Sequence, residues 1–113
     1  MRKDDLVYVP HMLDAASESL TLAEGVTCFE FDSDRRLALA LTLLLQTIGE
    51  AAKQTSTEFR AQHPGIPWLA IVGMRHRIVH DYLHVNFDVV WAVVNRDLSP
   101  LAAYLKSVAP PDS

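Results

Sequence analysis

The stretch LALALTLLLQTIGEAAKQTSTEF, residues 37 to 59, decides the fold. Its apolar residues recur at steps of three and four, which is the spacing of one buried helix face. The stripe consists of Leu37, Leu41, Leu44, Ile48, Ala52, Thr55 and Phe59. The spacing predicts one long helix, with capping oxygens offered by Asp32, Ser33 and Asp34. Gly49 costs this helix about 1 kcal/mol relative to alanine, and one reason to keep it is close approach of another backbone.

A similar stripe precedes this helix. It consists of Leu6, Val9, Leu13, Ala16, Leu20 and Ala23. It predicts a first helix, in which Pro10 is tolerable only near the start. Gly25 and the segment VTCFEFDSD, residues 26 to 34, then break the pattern.

Two further helices are predicted downstream. The turn HPGIP, residues 63 to 67, precedes a third helix that runs from Pro67 to about Val79. The segment DYLHVNF, residues 81 to 87, reads as a bend, after which Asn86 or Asp88 caps a fourth helix. The stripe of that helix consists of Val90, Val94, Leu98, Leu101, Leu105 and Val108. Ser99-Pro100 kinks this helix or splits off a short fifth one.

These patterns predict an all-α protein. Neither strand alternation nor an internal repeat is apparent, and residues 1–113 fit one domain. Four helices with short loops predict an antiparallel four-helix bundle. Trp68 and Trp91, at helical positions, are expected in its core.

Composition excludes several functional classes. The formal net charge is -4, so any contact with RNA must be local. Cys28 is the only cysteine, which excludes an intrachain disulfide. The N-terminus does not have the pattern of a signal peptide, and the longest apolar run is shorter than the roughly 20 residues of a membrane span. We therefore expect a cytoplasmic protein with no membrane partner.

The stretch RHRIVHDY, residues 75 to 82, holds the chemistry. RNA can be cleaved without metal if a base takes the 2′-OH proton, an acid protonates the leaving 5′-oxygen and a cation stabilises the charged phosphorane. Histidine suits both proton transfers and arginine suits the phosphorane. On a straight helix, Arg75 and His80 would point about 140° apart. They converge only if the helix ends or distorts near Val79, or if the arginine reaches round.

Two other interpretations of this stretch remain open on spacing alone. The residues could be polar groups at a helix end with no chemical role. Alternatively, His76, His80 and His84 form H-x-x-x-H-x-x-x-H, and histidines four apart on a helix face can bind zinc. The sequence lacks the H-E-x-x-H form, and a bend after Val79 would move His84 off the face. No metal ligands and no cofactor are therefore predicted.

The chain resembles the HepT-like toxins of the HEPN superfamily. Their motif R-x4-H-x-Y is matched by Arg75, His80 and Tyr82. The family-like segments IGEA (48–51), HPGIPW (63–68) and FDVVW (87–91) occur in the same order, so the resemblance covers most of the chain. One departure is His76, which follows the motif arginine where the family often has asparagine or another small polar residue.

The resemblance implies a homodimeric toxin of a type VII-like toxin–antitoxin system. The activity implied is that of a metal-independent endo- or exoribonuclease, with Arg75 and His80 catalytic and tRNA a plausible substrate. It also implies a minimal nucleotidyltransferase antitoxin of the MntA type, which would transfer AMP to Tyr82. His76, Arg77 and Glu50 are possible assisting residues, with Glu50 a candidate partner for an arginine at the bundle interior.

Two other functions compete with this interpretation. The chain could be a non-catalytic helical scaffold or substrate-binding subunit of a nucleotidyltransferase complex. A metal-binding helical protein is the third candidate. RNA cleavage by the intact protein and its loss in Arg75→Ala separate the first interpretation from the scaffold, and stoichiometric zinc would indicate the metal-binding protein.

Overall fold

Helix starts follow the capping residues of the sequence. The structure is a computed structural model that describes residues 2–81 and 84–109, with the backbone alone of residues 80 and 81. In it, Thr27 forms a reciprocal capping box with Glu30. Asp34, Ser56 and Asn86 each accept a hydrogen bond from the backbone N–H three residues later. The helices are α1 (Lys3–Ala23), α2 (Cys28–Ser33), α3 (Arg35–Gln54), α4 (Thr57–Gln62), α5 (Trp68–Val72), α6 (Met74–Ile78), α7 (Phe87–Ala92) and α8 (Leu98–Val108).

Contacts near the helix ends fix the directions of α1, α3 and the helix that begins at Phe87. Asp5, near the start of α1, accepts hydrogen bonds from the backbone N and Oγ of Ser56, just beyond α3, both at 2.7 Å. These two helices therefore run antiparallel. The ring of Phe31, just before α3, lies 6.5 Å from that of Phe87 and 4.7 Å from that of Trp91 between centroids. The start of α7 is thus beside the start of α3.

Contacts at the other end of the molecule, beyond the end of α3, fix the direction of the last helices. His63, just after α4, places its Nδ1 3.1 Å from the hydroxyl of Tyr104 in α8, so α7 and α8 run alongside α3 in the same direction. Trp68, at the start of α5, donates from Nε1 to the carbonyl of His63 at 2.9 Å. The short helices α5 and α6 therefore begin at the far end and return along α3.

The apolar stripes of the sequence contribute to one core, although Leu6 of the first stripe is 48% exposed. Among the residues with no exposed surface are Val9, Met12, Leu41, Leu45, Ile48, Ile78, Val90, Leu98 and Leu105. They come from α1, α3, α6, α7 and α8, so each of these helices contributes one face to the same interior. Trp68 and Trp91 are half-buried and pack against this core from its edge. The all-α class is confirmed.

Gly49 confirms the predicted close approach of a second backbone. A Cβ built on Gly49 would lie 2.9 Å from the carbonyl oxygen of Ile71 and 3.4 Å from Cβ of Met74. The first distance is shorter than real contacts allow, because a backbone oxygen cannot swing away as a side-chain tip can. The absence of a side chain at Gly49 therefore lets α5 and α6 pack directly on α3.

Three helix boundaries differ from the prediction. Pro10 lies well inside α1, which begins at Lys3, and not near its start. The second predicted helix is divided, because Thr55 is extended and Ser56 caps a separate helix, α4. The segment predicted to break the pattern after Gly25 contains the short helix α2, whose capping box offsets the low stability of so short a helix.

The third predicted helix is also divided, and a strand pair follows it. Gly73 separates α5 from α6, and α6 ends at Ile78. The strands β1 (Val79–Asp81) and β2 (His84–Val85) pair antiparallel, and they extend from the end of the predicted third helix into the predicted bend. No strand alternation marks them in the sequence, because pairing with a second segment, and not alternation over a long run, stabilises these strands.

The fourth predicted helix is continuous but irregular. Between α7 and α8, Val93–Asp97 form a π-helical segment, where Leu98 N–H donates to the carbonyl of Val93 five residues earlier. Pro100 has no N–H for the carbonyl of Arg96, so a perturbation one turn before the proline is expected. Ser99-Pro100 therefore coincides with a widened turn and not with a new helix. No helix within the described ranges combines the length and apolarity of a membrane span.

Candidate active site

The basic residues 75 to 77 of RHRIVHDY lie on the solvent side of α6. Met74 and Ile78 are buried, whereas Arg75, His76 and Arg77 are all exposed. Because Met74 packs against Gly49, the backbone of α6 is held firmly while its basic side chains project outward. This arrangement presents three potential cationic groups to solvent in an acidic protein.

The helix ends where convergence of Arg75 and His80 requires it to end. Val79 is extended, with φ -112° and ψ 110°. Its N–H donates to the carbonyl of Arg75, and Asn86 N donates to the carbonyl of Ile78 at 2.6 Å. The angle of about 140° that a straight helix would impose between Arg75 and His80 therefore does not apply.

The backbone of His80 lies inside β1. Val79 pairs with Val85 and Asp81 pairs with His84, and the register is irregular between Val79 and Asp81. An irregular register changes the direction in which side chains leave a strand. The side chain of His80 and the whole of Tyr82 lie outside the described residues. Their catalytic and modification roles remain predictions.

The fold does not support the spacing argument for a metal site. His76 lies in α6, His80 in β1 and His84 in β2, so the three histidines do not share a helix face. Within the part of the chain whose side chains are described, no group of three histidine, cysteine or carboxylate residues is placed to hold a metal.

Glu50 does not occupy the interior position considered for it. Its side chain is exposed on α3, where it lines a shallow groove with Tyr8, His11 and Thr47. Gly49 faces α5 and α6, and the next residue of a helix points about 100° away. The interior pairing of Glu50 with an arginine is therefore wrong, and any assistance from Glu50 would have to come from this exposed groove.

The arginines of α6 are available to an anion. Among the described side chains, no carboxylate forms an ion pair with Arg75 or Arg77. A guanidinium that is exposed and not neutralised by a neighbouring acid can direct its donors to phosphate oxygens. His76 lies on the same short helix, and its ring nitrogens could take part in hydrogen bonding.

The strand pair is the part of the site that sequence reasoning missed. Its signal in the sequence is weak, consisting of the β-branched residues Val79, just before the predicted bend, and Val85, within it. Val79 and Val85 are cross-strand partners, and both pack partly buried against the core. The pairing thereby sets the path of the backbone that carries His80.

Fold and site together define an all-α protein with Arg75 exposed on a short helix. The chain belongs to the ribonuclease HepT-like family, whose model matches residues 12–108.

Two relatives from a bacterium and an archaeon support this membership. The protein named "Putative RNase TTE0752" from Caldanaerobacter subterraneus subsp. tengcongensis is 31% identical over 101 residues, which cover 89% of this chain and 90% of that protein. The protein named "Probable ribonuclease HepT" from Thermococcus cleftensis is 36% identical over 93 residues, which cover 79% of this chain and 84% of that protein. No solved structure gives a significant match.

Proposed function

We propose that this protein is a metal-independent ribonuclease in which Arg75 and His80 act on one phosphate. The observation that carries the proposal is the exposed Arg75, which forms no ion pair with any carboxylate whose side chain is described. It lies on a helix that ends three residues later, so that His80 follows in a strand. Membership of the ribonuclease HepT-like family supports the same chemistry.

Each residue has a defined task in this proposal. His80 exchanges a proton with the 2′-OH or with the leaving 5′-oxygen, and one such transfer typically contributes about 10²- to 10⁴-fold to the rate. Arg75 donates hydrogen bonds to the phosphorane, whose negative charge exceeds that of the ground state. Arg77 and His76 bind flanking phosphates or assist the proton transfer. RNA is the substrate, with tRNA a candidate class.

A homodimer would supply the second proton carrier. One chain holds one R-x4-H motif, whereas cleavage uses a base and an acid. A two-fold axis places identical patches opposite each other, so two antiparallel four-helix bundles could line one basic cleft. Mixing active subunits with His80→Ala subunits tests the shared cleft. Activity should fall below the fraction of intact chains, and activity equal to that fraction contradicts the arrangement.

The ribonuclease itself is tested by RNA cleavage in the presence of excess chelator. Removing the phosphorane donor in Arg75→Ala should lower the cleavage rate by about 10²- to 10³-fold. Arg2→Ala is the matched control, because Arg2 is also an exposed arginine but precedes α1, at the end of the molecule away from α7. Equal loss in both variants would indicate non-specific electrostatics. No cleavage by the intact protein favours the scaffold function.

The proposed toxin function also includes a partner protein and a covalent modification that blocks activity. In a type VII-like system, a nucleotidyltransferase antitoxin would transfer AMP to Tyr82, two residues beyond His80 in sequence. The added phosphodiester would repel RNA and the adenosine would obstruct it. Co-expression with an MntA-type partner and intact-mass measurement test this step. The expected result is an added AMP on the intact protein and none on Tyr82→Phe, and an equal gain on both excludes Tyr82 as the acceptor.

A further inference from the structure

A half-open cavity lies between the HPGIP turn and the irregular helix that contains Pro100. Its volume is about 300 Å³. Ile66, Ile71 and Leu101 line it with apolar, buried side chains, and Pro67 and Pro100 contribute exposed rings. A cavity of this size lies at the lower end of those that bind small molecules, and its apolar lining suits an apolar ring.

Charged groups border this apolar cavity on one side. Arg96 Nε donates to Oδ1 of Asp97 at 3.0 Å, and both residues line the cavity. The side chains of Arg96 and Asp97 are 70% and 44% exposed, so both can also reach a ligand. Hydrogen bonding to Asp97, together with its negative charge, raises the pKa of Arg96, which stays cationic. The cavity thus offers apolar surface, a carboxylate and a guanidinium together.

The π-helical segment places these charged groups at the cavity. Both residues belong to Val93–Asp97, where the helix is wider than an α-helix. Single π-helical turns often occur at functional sites, because the extra residue changes the direction of the side chains around it. The widened turn and the apolar cavity are separate observations that point to the same place as a binding site.

We propose that this cavity binds one nucleobase of the RNA substrate, an inference that rests on the proposed ribonuclease function. The apolar side chains would cover the faces of the base, and the Asp97 carboxylate would accept hydrogen bonds from its edge. Guanine carries a ring N–H beside an amino group, so it offers two adjacent donors. Adenine offers only its amino group there. The site should therefore prefer guanine.

The cavity is suitably placed to extend the candidate active site. Ile71 lines it from α5, and Arg75 follows in α6, just beyond the break at Gly73. The remaining donors of Arg96 could bind the phosphate attached to the bound base. A base in the cavity and a phosphate at Arg75 would then belong to neighbouring positions of one strand.

Binding of short RNAs to His80→Ala protein, in which cleavage is prevented, tests the inference. The probes are fluorescent uridine tetranucleotides with one internal guanosine, adenosine or cytidine. Two adjacent hydrogen bonds to a carboxylate should make the guanosine probe bind about tenfold more tightly than the adenosine probe. Equal affinity for all three probes overturns the inference.

Two variants in the His80→Ala background separate shape from edge recognition. Gly65→Leu should block the cavity, because its Cβ would lie at an ordinary 3.5 Å from the Tyr104 ring and the remaining side chain would extend at the mouth. Asp97→Asn keeps the shape but replaces one acceptor by a donor. Both should abolish the preference for guanosine. Leu69→Gln, at a 93% exposed position of α5 that does not line the cavity, should retain it.

A parallel cleavage assay with intact His80 distinguishes failure of this inference from failure of the proposed function. RNA cleavage that is equal in rate and base preference in wild type and in Gly65→Leu would overturn the base site and leave the ribonuclease standing. Guanosine-selective binding without any cleavage would support the base site and overturn the proposed ribonuclease function. Thermal melting of each variant by circular dichroism shows whether it is folded. If Gly65→Leu is not folded, Asp97→Asn provides the test.

Discussion

The α1–α3 pair and the segment from α6 through β2 are built differently. The pair consists of two long helices with wide apolar stripes, and residues such as Val9 and Ile48 have no exposed surface. The segment consists of one five-residue helix and two strands of three and two residues. Elements this short do not form stably in isolation. The pair therefore supplies the stability, and the segment depends on it for its conformation.

This difference separates packing from chemistry. Arg75, His76 and Arg77 are exposed, whereas Met74 and Ile78 on the same helix are buried. The two anchoring residues flank the three candidate functional residues within little more than one turn. Substitutions in the pair should consequently change stability, and substitutions on the exposed side of α6 should change activity with little effect on stability.

The largest expected change in stability comes from the core of α3. Ile48→Ala should lower the free energy of unfolding by about 2–5 kcal/mol, because it removes a fully buried side chain and leaves a cavity. Leu43→Ala, on the same helix but 66% exposed, should change it by less than about 0.5 kcal/mol. Urea unfolding of both variants measures the difference, and equal values would show that α3 is not the main source of stability.

A smaller change is expected at the junction of α1 with the end of α3. Asp5→Ala removes the acceptor for two hydrogen bonds from Ser56 and leaves its backbone N–H without that partner, which should cost about 1–3 kcal/mol. Asp4→Ala, at the exposed neighbouring position, is the matched control. Urea unfolding should show a loss for Asp5→Ala alone, and equal losses would assign the effect to charge near the helix start.

The contact between the two regions is tested at Gly49. Gly49→Ala gains about 1 kcal/mol in helix propensity but forces its Cβ against the Ile71 carbonyl, so a net loss of about 1–2 kcal/mol is expected. Gly65→Ala, where the new Cβ meets Tyr104 at an ordinary distance, should not show this loss. Thermal melting compares them. A more stable Gly49→Ala would show that α5 and α6 can move away from α3 without cost.

The exposed side of α6 should show almost no change in stability. Arg75→Ala should shift the free energy of unfolding by less than about 0.5 kcal/mol, since it removes no buried surface and no ion pair within the described part of the chain. Equilibrium unfolding in urea measures this shift. A loss above 1 kcal/mol would mean that Arg75 supports the fold and would weaken the separation of packing from chemistry.

The smallest effect concerns the reactivity of Cys28 on α2. Partial loss of hydration and the nearby Asp32 carboxylate, 3.8 Å from Sγ, raise the pKa of the Cys28 thiol. Because only the thiolate reacts, alkylation by iodoacetamide should be slower at pH 8 than for a free cysteine. Asp32→Asn should lower the pKa and accelerate the reaction at the same pH. An unchanged rate would show that Asp32 does not control the thiol.

Prediction from sequence succeeded where one stripe of residues decides an element. The stripes of α1 and α3, the caps at Asp34 and Asn86 and the close approach at Gly49 were all predicted, because each depends on local spacing or on one residue type. For the candidate site, the helix end near Val79 agrees with the prediction. The interior position considered for Glu50 was wrong, because a neighbour of Gly49 on the helix faces a different direction.

The sequence by itself determined the all-α class, the approximate positions of the long helices and the membership of the ribonuclease HepT-like family. These properties follow from periodicity, capping and residue identity, which act over a few residues. Only the tertiary structure decided that α6 ends in a strand pair and that a cavity forms beside Arg96 and Asp97. Both depend on segments distant in sequence, because a strand needs its partner and a cavity needs all its walls.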